Sequence, residues 1–169
     1  MELLVVIALL VVAAGVIVAR TGRSLGHREL RNAAGEFAQT ARTVREFAVA
    51  RQRVCAIEID LDRRGYCPAY LSSTGGRDGW RTLQASWLKA RKWPEGVTVE
   101  AYRTANGAGA VGGSQVLKFY PDGTSSGAAI RLACRQDAYE IVVHPHSGRV
   151  VYGDASRVVF AQDQVDLGD

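Results

Sequence analysis

The chain has 169 residues, 47% of them hydrophobic and 22% charged, and a formal net charge of +4. That balance predicts one folded domain with an appendage and argues against a disordered chain or a strongly basic nucleic-acid binder. The three cysteines, Cys55, Cys67 and Cys134, form no CxxC pair and join no Cys/His cluster of zinc spacing; in an oxidising compartment they predict one disulfide plus one buried thiol, the pairing left open.

A lone acid, Glu2, stands ahead of Leu3 to Ala19, a run of 17 residues without a charge. At about 1.5 Å per residue the run spans roughly 25 Å, slightly short of the ~30 Å hydrocarbon core of a bilayer. A core helix seldom stays apolar on all sides for so many turns, and a secretory signal peptide opens on a basic region, not an acidic one. The run therefore predicts a retained membrane helix. The polar stretch RTGRSLGH follows, and its Gly22 and Gly26 predict a kink. Leu30, Ala33, Phe37, Ala41, Val44, Phe47 and Ala48 then recur at steps of three and four, an amphipathic helix ending near Arg53. Eight of the 21 basic residues fall between Arg20 and Arg53, interleaved with Glu29, Glu36 and Glu46, which is the pattern of a solvated helix face.

The period then changes from 3.6 to 2. AIEIDLD alternates Ile57, Ile59 and Leu61 with Glu58, Asp60 and Asp62, a half-buried strand. RRGY is its turn, Cys67 to Leu71 the returning strand, and Pro68 predicts that this return lies at a sheet edge. SSTGGRDG reads as loop. DGWRTLQASWLKARKWPEG predicts a short helix with Asp78 as N-cap and Pro94 as stop, so that Trp80, Leu83, Trp87 and Ala90 share its inner face. VTVEAYR, VLKFY, AAIRLAC, YEIVVH and RVVY predict further strands, with RVVF at 157–160 as a last candidate. Short links between them imply antiparallel neighbours. The acidic end DQVDLGD reads as a tail.

Four patterns suggest chemistry. GTSSG, from Gly123 to Gly127, fits a nucleophile elbow with Ser125 as nucleophile and Asp137 and His144 or His146 downstream. An elbow needs a helix after it, whereas AAIRLAC alternates like a strand, so a hairpin turn is the better reading. GAGAVG, from Gly107 to Gly112, matches a dinucleotide fingerprint but leads into GSQVLKFY with no helix whose N-terminus would hold a pyrophosphate. It reads as a glycine loop. His144-Pro145-His146 has no third ligand nearby and reads as a turn. Trp80, Trp87 and Trp93 among Arg77, Arg81, Lys89, Arg91 and Lys92 are an inward-packing helix face with a solvated rim, or a partner surface, or a base-stacking strip.

The segment ELLVVIALLVVAAGVIV resembles the N-terminal helix of type IV pilins and type II secretion pseudopilins, whose processed chains begin Phe-Thr-Leu-x-Glu. Glu2 falls at that glutamate, Met1 in the variable place before it, and Leu3, Leu4, Val5, Val6, Ile7, Leu9 and Leu10 in the apolar segment. The resemblance implies a start upstream, with Met1 internal; three added residues bring the run to about 30 Å. A second likeness covers most of the chain. LRNAAGEFAQTARTVREFAVARQRV followed by a strand, then VLKFYPDGTSSGAAIRL, then YEIVVHPHSGRVVY, is similar to the H-type minor pseudopilins and their pilus relatives, the GspH/FimT group. Phe119, Pro121, Asp122, Gly123, Gly127 and Gly148 carry that turn motif.

The resemblance implies an α+β fold, a long N-terminal helix packed on a small antiparallel β-sheet or sandwich. Its expected parts are a membrane and assembly helix over 1–23, an amphipathic helix over 24–53, a β-rich periplasmic domain over 54–160 and a tail over 161–169. It implies a structural minor pseudopilin of type II secretion, with no enzymatic activity, cofactor or metal, and a processed, methylated N-terminus. Glu2 is expected to pair with the N-terminal amine of a neighbouring subunit. The implied partners are other pseudopilins, the inner-membrane secretion platform, membrane lipid and a secreted substrate. Two alternatives stand beside it: a FimT-like minor pilin that binds DNA through basic residues such as Arg91 and Lys92, and a hydrolase at Ser125. Arg20, Arg23, Arg28 and Arg31 just after the apolar run would by themselves place that end in the cytoplasm; the inner-membrane, periplasm-facing assignment comes from the resemblance.

Overall fold

The computed structural model describes residues 2–74, 77–83 and 88–156, with side chains described at Val6 and Ile7 and from Gly26 onward, those of 73–74 and 77–78 apart. One helix, α1 (Glu2–Arg51), precedes ten strands: β1 (Cys55–Asp60), β2 (Gly65–Thr74), β3 (Arg77–Thr82), β4 (Arg91–Lys92), β5 (Thr98–Thr104), β6 (Gly109–Ala110), β7 (Ser114–Phe119), β8 (Ala128–Cys134), β9 (Asp137–Val143) and β10 (Val150–Asp154). The α+β class is as expected.

The amphipathic stripe dictates the packing. Leu30, Ala33, Phe37, Ala41, Val44 and Ala48 are all buried, together with Ala34 and Ala38, and the helix meets both sheets. Five of those eight residues are alanines, which lets strands approach the helix axis closely. Helical hydrogen bonding continues through Gly22 and Gly26, so the expected kink is not a break; Gly26 instead lies against Cys134, a Cβ there standing 3.5 Å from its Sγ. The helix ends where Gln52 turns left-handed at φ 50°. There the Arg53 N–H donates to the Ala48 carbonyl at 3.1 Å and the Gln52 N–H to the Val49 carbonyl at 3.3 Å, a Schellman closure that satisfies two orphan carbonyls.

The first sheet runs β3-β2-β1-β7, with β4 also on β2; the second runs β10-β9-β8-β5-β6, and all pairings are antiparallel. In β1, Ile57 and Ile59 are buried while Glu58 and Asp60 are half-buried, as the alternation predicts. Phe37 on α1, Tyr66 on β2 and Trp93 after β4 form an aromatic cluster, with ring centroids 5.0 Å apart for Phe37 and Tyr66, 5.5 Å for Phe37 and Trp93, and 4.9 Å for Tyr66 and Trp93. Buried Glu140 on β9 is held by Arg103 on β5 at 2.7 Å, which compensates its desolvation.

Several expectations are corrected. Over DGWRTLQASWLKARKWPEG, where a helix was expected, the described residues form β3, a bridge at Leu88 and β4, and residues 84–87 lie outside them. Trp80 pairs with Leu71 across β2 and β3, and cross-strand pairing overrides the helical spacing. Leu83 and Trp93 are buried, but on no common helix face; Trp87 lies outside the described residues. SSTGGRDG is not a free loop: β2 extends to Thr74 and β3 starts at Arg77. Pro68 is not on an edge strand, since β2 has β1 on one side and β3 and β4 on the other. It is tolerated because β3 pairs with Ala69 to Thr74 and β4 with Gly65 and Tyr66, so the missing N–H falls between the two ladders. The candidate strand at 157–160 and the tail at 161–169 lie outside the described residues.

No disulfide forms: Cys55, Cys67 and Cys134 are all free. Cys55 stands opposite Tyr70 and Cys67 opposite Glu58, three residues apart along adjacent strands, or ~10 Å, beyond the ~7 Å limit for bridging. Cys134 is in the other sheet. Burial pushes the Cys55 thiol up to about 11, against a smaller lowering by Arg53. Because the neutral form is favoured in the fold, this contribution to stability is complete below the ordinary thiol value and lost as pH rises through about 11. Native protein at pH 8 should therefore expose one fast thiol, half-buried Cys67, to an aromatic disulfide reagent. Cys55 and Cys134 should react only on unfolding; three equal rates would contradict this packing.

Candidate functional site

Two loops of the second half close onto one side chain of the helix. The first, Tyr120 to Gly127, joins β7 to β8; the second, His144 to Arg149, joins β9 to β10. In the first, the Gly123 N–H donates to the Tyr120 carbonyl at 3.0 Å and the Tyr120 N–H to the Thr124 carbonyl at 3.0 Å. Asp122 accepts from the Thr124 hydroxyl at 2.7 Å and from its N–H at 2.9 Å. These bonds, the hydroxyl first, hold the Asp122 carboxyl below its usual range. Their support is present above about pH 4 and lost as pH falls through the lowered value. In the second loop the His144 N–H donates to the Arg149 carbonyl and the Gly148 N–H to the His144 carbonyl, both at 2.9 Å. The His-Pro-His stretch is thus a turn.

Arg45 on α1 is the common partner. Its Nε donates to the Gly123 carbonyl at 2.9 Å. One turn earlier on α1, Arg42 donates to the Val150 carbonyl at 3.1 Å. Gly123 and Gly148 both adopt left-handed backbone, at φ 84° and 60°. A Cβ on Gly148 would stand 2.4 Å from the Gly123 carbonyl oxygen and 2.6 Å from Arg45 Nε; one on Gly123 would meet an Arg45 terminal nitrogen at 3.1 Å. The two glycine turns therefore form a cradle that admits the guanidinium stem and nothing more. Of the other motif residues, Phe119 is fully buried at the end of β7, Pro121 is half-buried, and Gly127 packs against Ala105 and Pro145.

Ser125 sits inside this latch with a structural task. Its hydroxyl donates to the His144 carbonyl at 3.0 Å and accepts from the Gly127 N–H at 3.1 Å, while its own N–H donates to the Pro145 carbonyl at 2.7 Å. A strand, not a helix, follows it, and the hydroxyl meets the His144 main chain and not its ring. The elbow geometry is absent. The GAGAVG stretch likewise opens no helix: it runs from the β5–β6 hairpin turn, closed by the Gly107 N–H on the Thr104 carbonyl at 3.0 Å, through β6 toward β7.

Other sequence-selected residues separate. Arg91 forms an ion pair with Glu36 on α1, so it is a strut against the helix, not a free phosphate clamp; Lys92 beside it is exposed. Glu2 and Leu3, Leu4, Val5, Leu9 and Leu10 fall on the α1 backbone, and their side chains lie outside the described residues; Val6 and Ile7 stand exposed. No helix is long and apolar enough to cross a membrane among the residues whose side chains are described. Sequence reasoning missed Arg42 and Arg45. The available signal was two arginines flanking the buried positions Ala41 and Val44, beside glycine-bearing turns that need a donor.

The comparisons come to the same architecture. The family described as type II transport protein GspH matches residues 33–148. None of the curated proteins matches the chain. Among solved structures, the minor pseudopilin EpsH from the type 2 secretion system of Vibrio cholerae is similar at 15% identity with a TM-score of 0.64, covering 78% of this chain and 99% of that one. A second EpsH crystal structure gives 15% identity, a TM-score of 0.63, and coverage of 75% and 97%. The type IV minor pilin FimU of Pseudomonas aeruginosa gives 16% identity, a TM-score of 0.54, and coverage of 79% and 95%. At such identity these likenesses establish the fold alone.

The cradle sets an order of costs. Gly148→Ala should destabilise the chain by about 2–4 kcal/mol, because main chain blocks the new methyl. Gly123→Ala should cost about 1–2 kcal/mol, because the guanidinium end can give way. Urea unfolding checks this, and equal costs would show that the Arg45 guanidinium does not give way to a methyl at position 123.

Proposed function

Because the chain belongs to the GspH family of type II transport proteins, we propose that it is a minor pseudopilin, a structural subunit of the periplasmic filament of a type II secretion system. The observation that carries this reading is the family match over residues 33–148, which runs from the amphipathic half of α1 through the Arg45 latch to Gly148. Its main contacts are scaffolding: a helix stripe covered by two sheets, with a turn and a strand tied to the helix by arginines. The Ser125 hydroxyl is committed to main-chain partners, which supports a structural role over hydrolysis. The pilus alternative rests on a likeness of fold that serves both systems, and the pairing of Arg91 with Glu36 speaks against the DNA clamp imagined for it.

In this proposal residues 1–23 act first as a single-pass anchor in the inner membrane and then as a packed strut in the filament. Residues 24–53 join that strut to the globular domain of 54–160, which stands in the periplasm. Glu2 is the assembly residue. A carboxylate among apolar side chains is costly alone, and a cation on an adjoining subunit relieves that cost while fixing the axial register. Other pseudopilins and the inner-membrane platform are the partners.

Glu2→Ala should leave the far-ultraviolet spectrum and unfolding midpoint of the protein unchanged. The fraction cross-linked into sheared filaments should fall several-fold. Incorporation at the parental level would remove Glu2 from this role.

A further inference from the structure

The Schellman turn at the end of α1 leaves a trough at the domain's distal end. A hollow of about 390 Å³ is lined by Phe47, Arg51, Arg53, Tyr70 and Leu83. A second, of about 550 Å³, is lined by Tyr70, Arg81, Thr82 and Leu83. Tyr70 and Leu83 line both, so the two hollows adjoin and together are called the trough. Its floor is apolar and aromatic, with Leu83 buried and Phe47 and Tyr70 half-buried. Its rim is cationic, since Arg51, Arg53 and Arg81 are all exposed. Arg51 lies over the Phe47 ring at 5.6 Å, which holds its guanidinium at the mouth.

The rim differs from the arginines that are paired elsewhere in the chain. Arg63, Arg91, Arg103 and Arg131 each meet a carboxylate within the chain, on Asp60, Glu36, Glu140 and Glu100. Among the described residues, Arg51, Arg53 and Arg81 form no ion pair. One wall is the sheet edge, and no described strand pairs with the outer side of β3. The Leu83 N–H donates inward to the Pro68 carbonyl at 2.9 Å. By the alternation of an antiparallel ladder, Thr82 and Trp80 therefore turn their main-chain groups outward.

We propose that this trough docks an acidic, extended segment of another polypeptide. One carboxylate meets Arg51 and Arg53, an apolar or aromatic side chain fills the floor between Phe47, Tyr70 and Leu83, and a second carboxylate meets Arg81. The open edge of β3 supplies main-chain bonds to an extended chain. Charge complementarity selects an acidic occupant. Nucleic acid fits less well, because a strand-tracking site needs a continuous cationic path. Here the rim is three arginines set around an apolar floor, not a track of cations.

The test uses the full chain in detergent micelles and the dye-labelled pentapeptide Asp-Leu-Asp-Phe-Asp, read by fluorescence anisotropy. Saturable binding is expected, at least tenfold weaker for Arg51→Glu and for Arg81→Glu and unchanged for Lys118→Glu, an exposed residue of β7. Lys-Leu-Lys-Phe-Lys should bind Arg81→Glu better than the parent, a gain that misfolding cannot produce. Equal binding of both peptides to the parent, or equal loss in Lys118→Glu, would overturn the proposal. A 12-nucleotide single strand that displaces the peptide at lower concentration would assign the trough to nucleic acid. Tighter peptide binding after removal of residues 157–169 would assign it to the chain's own acidic run.

Discussion

The burial of one helical stripe organises the rest of the molecule. From Leu30 to Ala48 the inner face of α1 is covered by strands of both sheets, and neither sheet closes a core without it. Phe37 is the single large aromatic of that stripe that is fully buried, and it meets Tyr66 and Trp93 from the first sheet. The alanines around it matter as much as the ring, because they keep the helix axis close to strands on two sides. Full burial of a Leu, Val or Phe side chain contributes about 1.5–3 kcal/mol, so the stripe outweighs any single polar contact in the chain.

Polar contacts take over where apolar burial loses direction. A greasy stripe resists separation from a sheet but slides easily along it. Arg42 and Arg45 supply the missing direction, since each donates to a main-chain carbonyl of the second half. Those carbonyls sit on β10 and on a glycine turn whose own bonds are complete. Gly123 and Gly148 are thereby given a physical meaning: small, left-handed residues are needed where an arginine stem passes between two backbones.

Much of this was legible in the sequence. The steps of three and four from Leu30 to Ala48 and the alternation in AIEIDLD translate directly into buried and exposed faces. The segment from Asp78 to Pro94 was misread because Trp80, Leu83, Trp87 and Ala90 satisfy helical spacing, while the pairing of β3 with β2 is a long-range contact that local spacing does not encode. Pro68 misled for the same reason: an edge was inferred from a missing donor, and the actual solution is a gap between two short partners on one side of β2. The expectation of one disulfide fails because composition counts thiols without measuring the distance between them. Arg45 was invisible because an arginine beside an apolar stripe looks like solvated charge until its acceptor, 78 residues away, is in place.

The unbroken run of α1 from Glu2 to Arg51, about 75 Å of continuous helix, has a mechanical consequence. A pull along the axis at its first turn cannot be absorbed by a flexing joint. It passes undiminished to the globular end and arrives there as shear between helix and strands. Arg42 and Arg45 lie across that direction, like pegs through a shaft. A subunit tugged lengthwise by its neighbours would thus carry the load through them and the aromatic cluster together, and would move as a piston moves, all at once.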